Sequence, residues 1–245
     1  MTPLRTGKVL GGRALHFLLA IDRSIRPARR SPGNVLLFNL NGIGDVLVST
    51  SALPGIRRRF PERKIAFVTH PAAASVIECN PCIDRLYVHD EYTHESLRRY
   101  RAFCWTFDPE YAVALNPGYK NALLTCMAPS THKIWFLRED RLAVRLNGKG
   151  AVERIRPRHI GEYAHIAAGR LGCRQFGSPR LPVHEGNRVS LQGDGREPVI
   201  LFVGGKWGWK QWDASHFARL AGHVAGRFPV VVCGGEGDEE TLQKV

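Results

Sequence analysis

Acidic residues are scarce in this chain: 22 Asp plus Glu stand against 35 Lys plus Arg in 245 residues, a formal charge of +13. That deficit excludes a charge-neutral surface and points to an anionic partner: nucleic acid, a phosphorylated glycolipid or a membrane surface. Long apolar runs are missing as well. The apolar run over residues 14–21 is too short for a bilayer, which takes about 20 apolar residues. No small-x-small cleavage site follows it, so neither a spanning helix nor a signal peptide is expected. The six cysteines, at 79, 82, 104, 126, 173 and 233, form no small disulfide framework, which fits a reducing cytoplasm. Cys79-Asn-Pro-Cys82 has metal-ligand or redox spacing. A zinc site needs a second ligand pair, and the sequence has none, so two thiols on a loop between helix and strand is the favoured reading. No metal and no cofactor is expected.

What is present describes a soluble globular protein, with 44% hydrophobic and 23% charged residues. The positive charge is concentrated at the start. Residues 1–30 hold seven basic side chains (Arg5, Lys8, Arg13, Arg23, Arg26, Arg29 and Arg30) against one acid, Asp22. Leu10, Ala14, Phe17, Leu18 and Ile21 share one helical face, and Arg13, His16 and Arg23 another. The pattern fits a basic interfacial helix or, equally, a helix packed on its own protein.

Strand and helix signals alternate after residue 33. Strands are expected at 34–40, 64–69, 83–88, 111–115 and 134–136, and helices at 45–60, 72–78, 121–127 and 160–171, with Pro54 kinking the first helix. Residues 138–158, charged and without clear period, read as an irregular surface loop. A Pro- and Gly-rich linker at 178–197 divides an N-terminal domain, 31–177, from a second α/β unit at 198–245. That unit has strands at 198–203 and 229–233 and helices at 213–228 and 238–245. Such alternation predicts an α/β fold of two Rossmann-like lobes with parallel sheets.

Three segments are candidates for chemistry. In the first, Asn34-Val-Leu-Leu-Phe-Asn-Leu-Asn-Gly-Ile-Gly-Asp45, an apolar strand runs into a Gly-x-Gly turn, with a carboxylate where a helix begins. Ligands of open α/β sheets gather at that edge. A dinucleotide fingerprint fails here, because Leu47 stands where the third glycine belongs and the second strand ends in Thr69-His70, with no acid for a ribose. Asn41, Gly42 and Gly44 shape the loop. Asp45 is a candidate catalytic acid or base, or the helix N-cap. The second segment, Gly204-Gly-Lys-Trp-Gly-Trp-Lys-Gln-Trp212, places glycines, Lys206 and Lys210 where a strand meets a helix, a setting for phosphate. Its tryptophans, Trp207, Trp209 and Trp212, also suit packing or a single-strand nucleic-acid platform. In the third, Gly234-Gly-Glu-Gly237 turns into a helix whose Glu239 is a candidate for ribose hydroxyls. The glycines there are also what any tight turn needs.

Together these segments resemble glycosyltransferase family 9, the ADP-heptose:lipopolysaccharide heptosyltransferases and their relatives. The resemblance runs in order through the Asp45 loop, Ala52-Leu-Pro-Gly-Ile-Arg-Arg-Arg-Phe-Pro61, Asn80-Pro-Cys-Ile-Asp84, Asn116-Pro-Gly118, His159-Ile-Gly-Glu162 and Lys210-Gln-Trp212. It implies a two-lobed GT-B fold and inverting, metal-independent transfer from a nucleotide-sugar donor, ADP-heptose in the heptosyltransferases. The acceptor it implies is an anionic glycolipid such as lipopolysaccharide core. On that resemblance Asp45 is the general base, Lys210 stabilises the leaving diphosphate, and Gly205 and Lys206 contact it. The implied location is the cytoplasmic face of the inner membrane, held there by the basic N-terminus, with no nucleic-acid partner. Family members continue past this point with a further donor motif, so the second lobe is expected to be incomplete. Two alternatives stand beside this reading: an inactive, truncated member that only binds lipid or glycan, and a basic nucleic-acid-binding module.

Overall fold

The computed structural model describes residues 33–136, 157–181, 195–205 and 211–245, together with the backbone of 137, 141–146 and 149–154. The basic segment 1–30 lies outside the described residues. By its contacts the chain divides into two compact units, Met1–Val183 and His184–Val245.

The first unit is built on a seven-stranded sheet in the order β3-β2-β1-β4-β5-β6-β7. Strands β1 (Asn34–Asn39), β2 (Ile65–Thr69), β3 (Arg85–Val88), β4 (Pro109–Ala114) and β5 (His132–Leu137) run parallel. Covered on both faces, the central strands are near-continuous apolar runs. Val35, Leu36, Leu37 and Phe38 are fully buried, as are Ala66, Phe67 and Val68. The expected strands and most expected helices are present.

The expected helix at 45–60 is two helices. After α1 (Ile43–Ser49) the chain tightens into a 3-10 turn, Thr50–Ala52, before α2 (Leu53–Arg59). Three consecutive hydroxyls cause this. Ser49, Thr50 and Ser51 each donate to the carbonyl three residues back, at 2.7, 2.7 and 2.8 Å. Pro54 then removes one backbone donor at the start of α2. The helix expected at 72–78 is likewise a 3-10 turn followed by α3 (Ala74–Ile77).

Two elements differ more strongly. The longest described helix, α4 (His94–Phe107), has no counterpart in the sequence reading. Its buried positions are Ser96, Tyr100, Cys104 and Phe107, a helical stripe that hydropathy undervalues because two members are small and polar. Thr93 caps it by accepting from the Ser96 amide, and Asp108 ends it at φ +53°. Residues 138–158 are not an irregular loop throughout. They contain β6 (Arg141–Leu146) and β7 (Lys149–Arg154), an antiparallel pair that extends the sheet beyond β5. The signals were in the sequence: Leu142, Val144 and Leu146 alternate with Arg141, Ala143 and Arg145, and Asn147-Gly148 is the dipeptide that two-residue hairpin loops favour.

Helices α5 (Tyr119–Met127) and α6 (Gly161–Arg170) complete the unit. Tyr100 on α4 donates to the Leu124 carbonyl of α5 at 2.7 Å, which joins those two helices on one face of the sheet. After α6 the chain runs back along the α1–α2 corner. The Gly177 amide donates to the Ser51 carbonyl at 2.8 Å and the Arg180 amide to Thr50 Oγ1 at 2.9 Å. Arg58 donates to the Gln175 carbonyl at 3.1 Å.

His89, just after β3, is 1% exposed, and neither ring nitrogen has a hydrogen-bond partner among the described residues. Burial pushes its pKa below the usual imidazole range; Lys120 and Arg99 add to this and Asp90 opposes it. The ring is therefore neutral when folded and takes up a proton on unfolding below about pH 6.5. Because the unfolded chain then binds more protons, stability falls as pH drops through that region. The urea midpoint is expected to fall between about pH 7.5 and 5.5, and less steeply in His89→Phe.

The second unit contains β8 (Val199–Phe202) and β9 (Val230–Cys233), paired in parallel, with α7 (Ala214–Ala225) and α8 (Glu239–Lys244). Asp213 caps α7 by accepting from the Ser215 amide at 2.9 Å.

Candidate active site

In the first unit the chain leaves β1 towards β2 on one side and reaches β4 on the other. The carboxyl ends of β1 and β4 thus form the switch point where ligands of open parallel sheets bind. Four asparagines pin the two loops there. Asn39 Nδ2 donates to the Asp45 carbonyl at 3.0 Å and to Ser49 Oγ at 3.1 Å, and its Oδ1 accepts from the Asn41 amide at 3.2 Å. Fully buried Asn121 accepts from the Leu40 amide at 2.8 Å. It also donates to Asn41 Oδ1 at 3.2 Å and to the Asn116 carbonyl at 3.1 Å. Asn41 closes the circuit by donating to the Pro117 carbonyl at 3.3 Å.

Of the two roles considered for Asp45, the helix start bears on the capping one alone. The N-cap of α1 is Gly42, not Asp45, and it supplies no side-chain cap. Asp45 lies in the first helical turn, half-buried, a favourable place for negative charge next to the helix dipole. Its carboxylate accepts no hydrogen bond among the described residues. Gly42, Ile43 and Gly44 beside it are exposed, and a Cβ at Gly42 or Gly44 would meet nothing within 4 Å. The fold does not demand those two glycines, so the space they leave is free for a ligand.

In the second unit the carboxyl ends of β8 and β9 enclose a cleft of about 490 Å³, lined by Phe202, Gly204, Gly205, Gly234, Gly235, Glu236 and Asp238. Asp238 was not singled out in the sequence, yet it organises the cleft. Its Oδ2 accepts from the Gly235 amide at 2.8 Å, and a Cβ at Gly204 would run into that carboxylate. Gly205 is less constrained: its carbonyl accepts from Gln211 at 2.7 Å, and a Cβ would make ordinary contact with that side chain. Gly204→Ala is therefore expected to displace Asp238 and lower the melting midpoint by a few degrees, whereas Gly205→Ala leaves it unchanged; thermal denaturation of the two variants checks this.

Glu239 opens α8 with its Oε1 accepting from the Gly237 amide at 3.1 Å. Its own amide and that of Gly237 hold its carboxyl below the usual range. It does not line the cleft; Glu236 and Asp238 do. Lys206, Trp207, Trp209 and Lys210 lie outside the described residues. Trp212 stacks on His216 at 5.2 Å and 11° and meets Phe217 edge-on at 5.0 Å, so it packs on its own helix. Cys79 and Cys82, on the loop between α3 and β3, form no disulfide among the described residues. Among the described residues no group of three His, Cys, Asp or Glu side chains could hold a metal ion.

Two α/β units with parallel strands, each carrying a ligand loop at its strand ends, make a GT-B-type glycosyltransferase fold. More closely, the chain has the fold of glycosyltransferase family 9. It is similar to the glycosyl transferase family 9 protein from Veillonella parvula, with a TM-score of 0.68 and 18% identity over 88% of this chain and 66% of that one. It is also similar to E. coli ADP-heptose lps heptosyltransferase II, with a TM-score of 0.63 and 18% identity over 86% of this chain and 67% of that one. For E. coli heptosyltransferase WaaC, solved with ADP-2-deoxy-2-fluoro heptose, the TM-score is 0.60 at 18% identity, over 86% and 72% of the two chains. At these identities the likeness is one of fold, and the chain spans about two thirds of the length of the first two. No family model and no curated protein matches the sequence.

Proposed function

We propose that the chain is a glycosyltransferase that moves a heptose or related sugar from a nucleotide-sugar donor, ADP-heptose by preference, to a lipopolysaccharide core or similar anionic glycan. The observation that carries this reading is the Asp45 carboxylate, half-buried at the switch point and accepting no hydrogen bond among the described residues. A carboxylate so placed is available to take the proton of an acceptor hydroxyl as that oxygen attacks the anomeric carbon. The C1–O bond to the diphosphate breaks as the new bond forms on the opposite face, so the anomeric centre inverts.

The nucleoside diphosphate leaves with added negative charge. On the resemblance, Lys206 and Lys210 neutralise it with the amide of Gly205, which substitutes for a divalent cation. Glu239, Glu236 and Asp238 then compete for the ribose hydroxyls, and the last two have the better position because they line the cleft. The site of action in this reading is the cytoplasmic face of the inner membrane, with residues 1–30 contributing attraction to anionic lipid. No described helix is long and apolar enough to cross a membrane.

The test is release of nucleoside diphosphate from ADP-heptose in the presence of a lipopolysaccharide-core acceptor. Turnover is expected, and expected to survive excess chelator. Absence of turnover with every nucleotide sugar tried, alongside intact glycan binding, would instead favour a binding protein. Salt-sensitive binding of single-stranded oligonucleotides, weakened by Trp207→Ala and Trp209→Ala, would favour the nucleic-acid reading.

A further inference from the structure

The last turn of α2 and the return segment 172–181 meet along one surface that the transfer chemistry does not use. Arg58 bonds the Gln175 carbonyl, and a Cβ at Gly172 would sit 3.4 Å from Arg59 Nε. Arg58 and Arg180 both lie close enough to Cys82 to act on its thiol, and Arg58 and Arg59 do the same to Cys173. Arg58, Arg59, Arg174 and Arg180 are exposed, and none of the four has a carboxylate partner among the described residues. The neighbouring acid, Asp84, is already held by Arg57. The return segment also carries two exposed large apolar side chains, Phe176 at 37% and Leu181 at 57% exposure.

We propose that Arg58, Arg59, Arg174 and Arg180, with Phe176 and Leu181, form a docking face for an anionic phospholipid bilayer. The guanidinium groups match lipid phosphates, whose planar oxygen pairs they can chelate. An exposed aliphatic side chain on the same segment, Leu181, enters the headgroup layer, where it loses contact with water. A single-stranded nucleic acid fits the same surface less well. One face of the Phe176 ring is already stacked on His165, at 4.3 Å and 4°, and Leu181 offers a base nothing to stack on. The face is a second anionic-lipid contact, independent of residues 1–30.

The experiment is vesicle co-sedimentation of the full chain without donor or acceptor, so its outcome is separate from that of the transferase assay. Vesicles containing phosphatidylglycerol are expected to bind the chain, and phosphatidylcholine alone is not, with binding weakened by salt. Replacing all four arginines with glutamine (R58Q/R59Q/R174Q/R180Q) is expected to lower partitioning by nearly three orders of magnitude, at roughly fivefold for each basic residue near the surface. The matching lysine variant (R58K/R59K/R174K/R180K) keeps most of the binding, and Leu181→Ser lowers it about tenfold. Circular dichroism of each variant confirms the fold. The proposal is overturned if the glutamine variant, folded, binds like the parent, since residues 1–30 would then account for all attraction. It is also overturned by equal binding to uncharged vesicles, or by RNA binding that tracks the arginines but is indifferent to Leu181.

Discussion

Asp45→Asn is expected to lower turnover of nucleotide sugar by about 10²–10⁴-fold while leaving the thermal midpoint within a degree or so of the parent, because positioned proton transfer is worth that much. The separation of the two effects follows from the geometry. The Asp45 carboxylate accepts no hydrogen bond among the described residues, so exchanging one oxygen for an amide breaks none there. What Asp45 does give the fold, its backbone carbonyl to Asn39, survives the substitution. Donor affinity should also survive, since the cleft proposed for the donor lies at β8 and β9, in the other unit. Measurement of kcat, of ADP affinity by titration and of the melting midpoint checks all three. Normal turnover in Asp45→Asn would remove the general-base assignment outright.

Asn121→Ala is expected to have the opposite signature, a large loss of stability accompanied by a loss of rate. Asn121 is fully buried and serves three partners at once: the Leu40 amide, Asn41 Oδ1 and the Asn116 carbonyl. Alanine leaves those groups buried and unpaired, at about 2–4 kcal/mol in total. For a chain of this size that is a fall of about 5–15 °C in Tm. The loops after β1 and β4 are tied mainly through this one side chain, so α1 loses its fixed bearing and Asp45 its aim. A variant with unchanged Tm but lost activity would mean instead that Asn121 touches substrate.

The strands were legible because a parallel sheet buried on both faces needs unbroken apolar runs, and 34–40 and 64–69 are such runs. Asp45 was legible too, through its place after an apolar strand and a glycine turn. Helix α4 was not, since its buried stripe includes Ser96 and Cys104, residues whose burial depends on what faces them. The β6–β7 pair has its alternation and its Asn147-Gly148 dipeptide, but the density of charge over 138–158 obscures that period. The asparagine frame and Asp238 had weaker signals. Asn39 closing an otherwise apolar strand was one. For Asp238 only the packing of two loops against each other makes the carboxylate's place visible.

The return strip along the α1–α2 corner has a mechanical consequence. Gly177 is bonded to Ser51 and Arg180 to Thr50, directly behind the helix that carries Asp45. The rope leading out of the first unit is thus cleated to the mount of its own candidate base. Tension on that rope is taken up at Thr50 and Ser51 before it can reach the sheet.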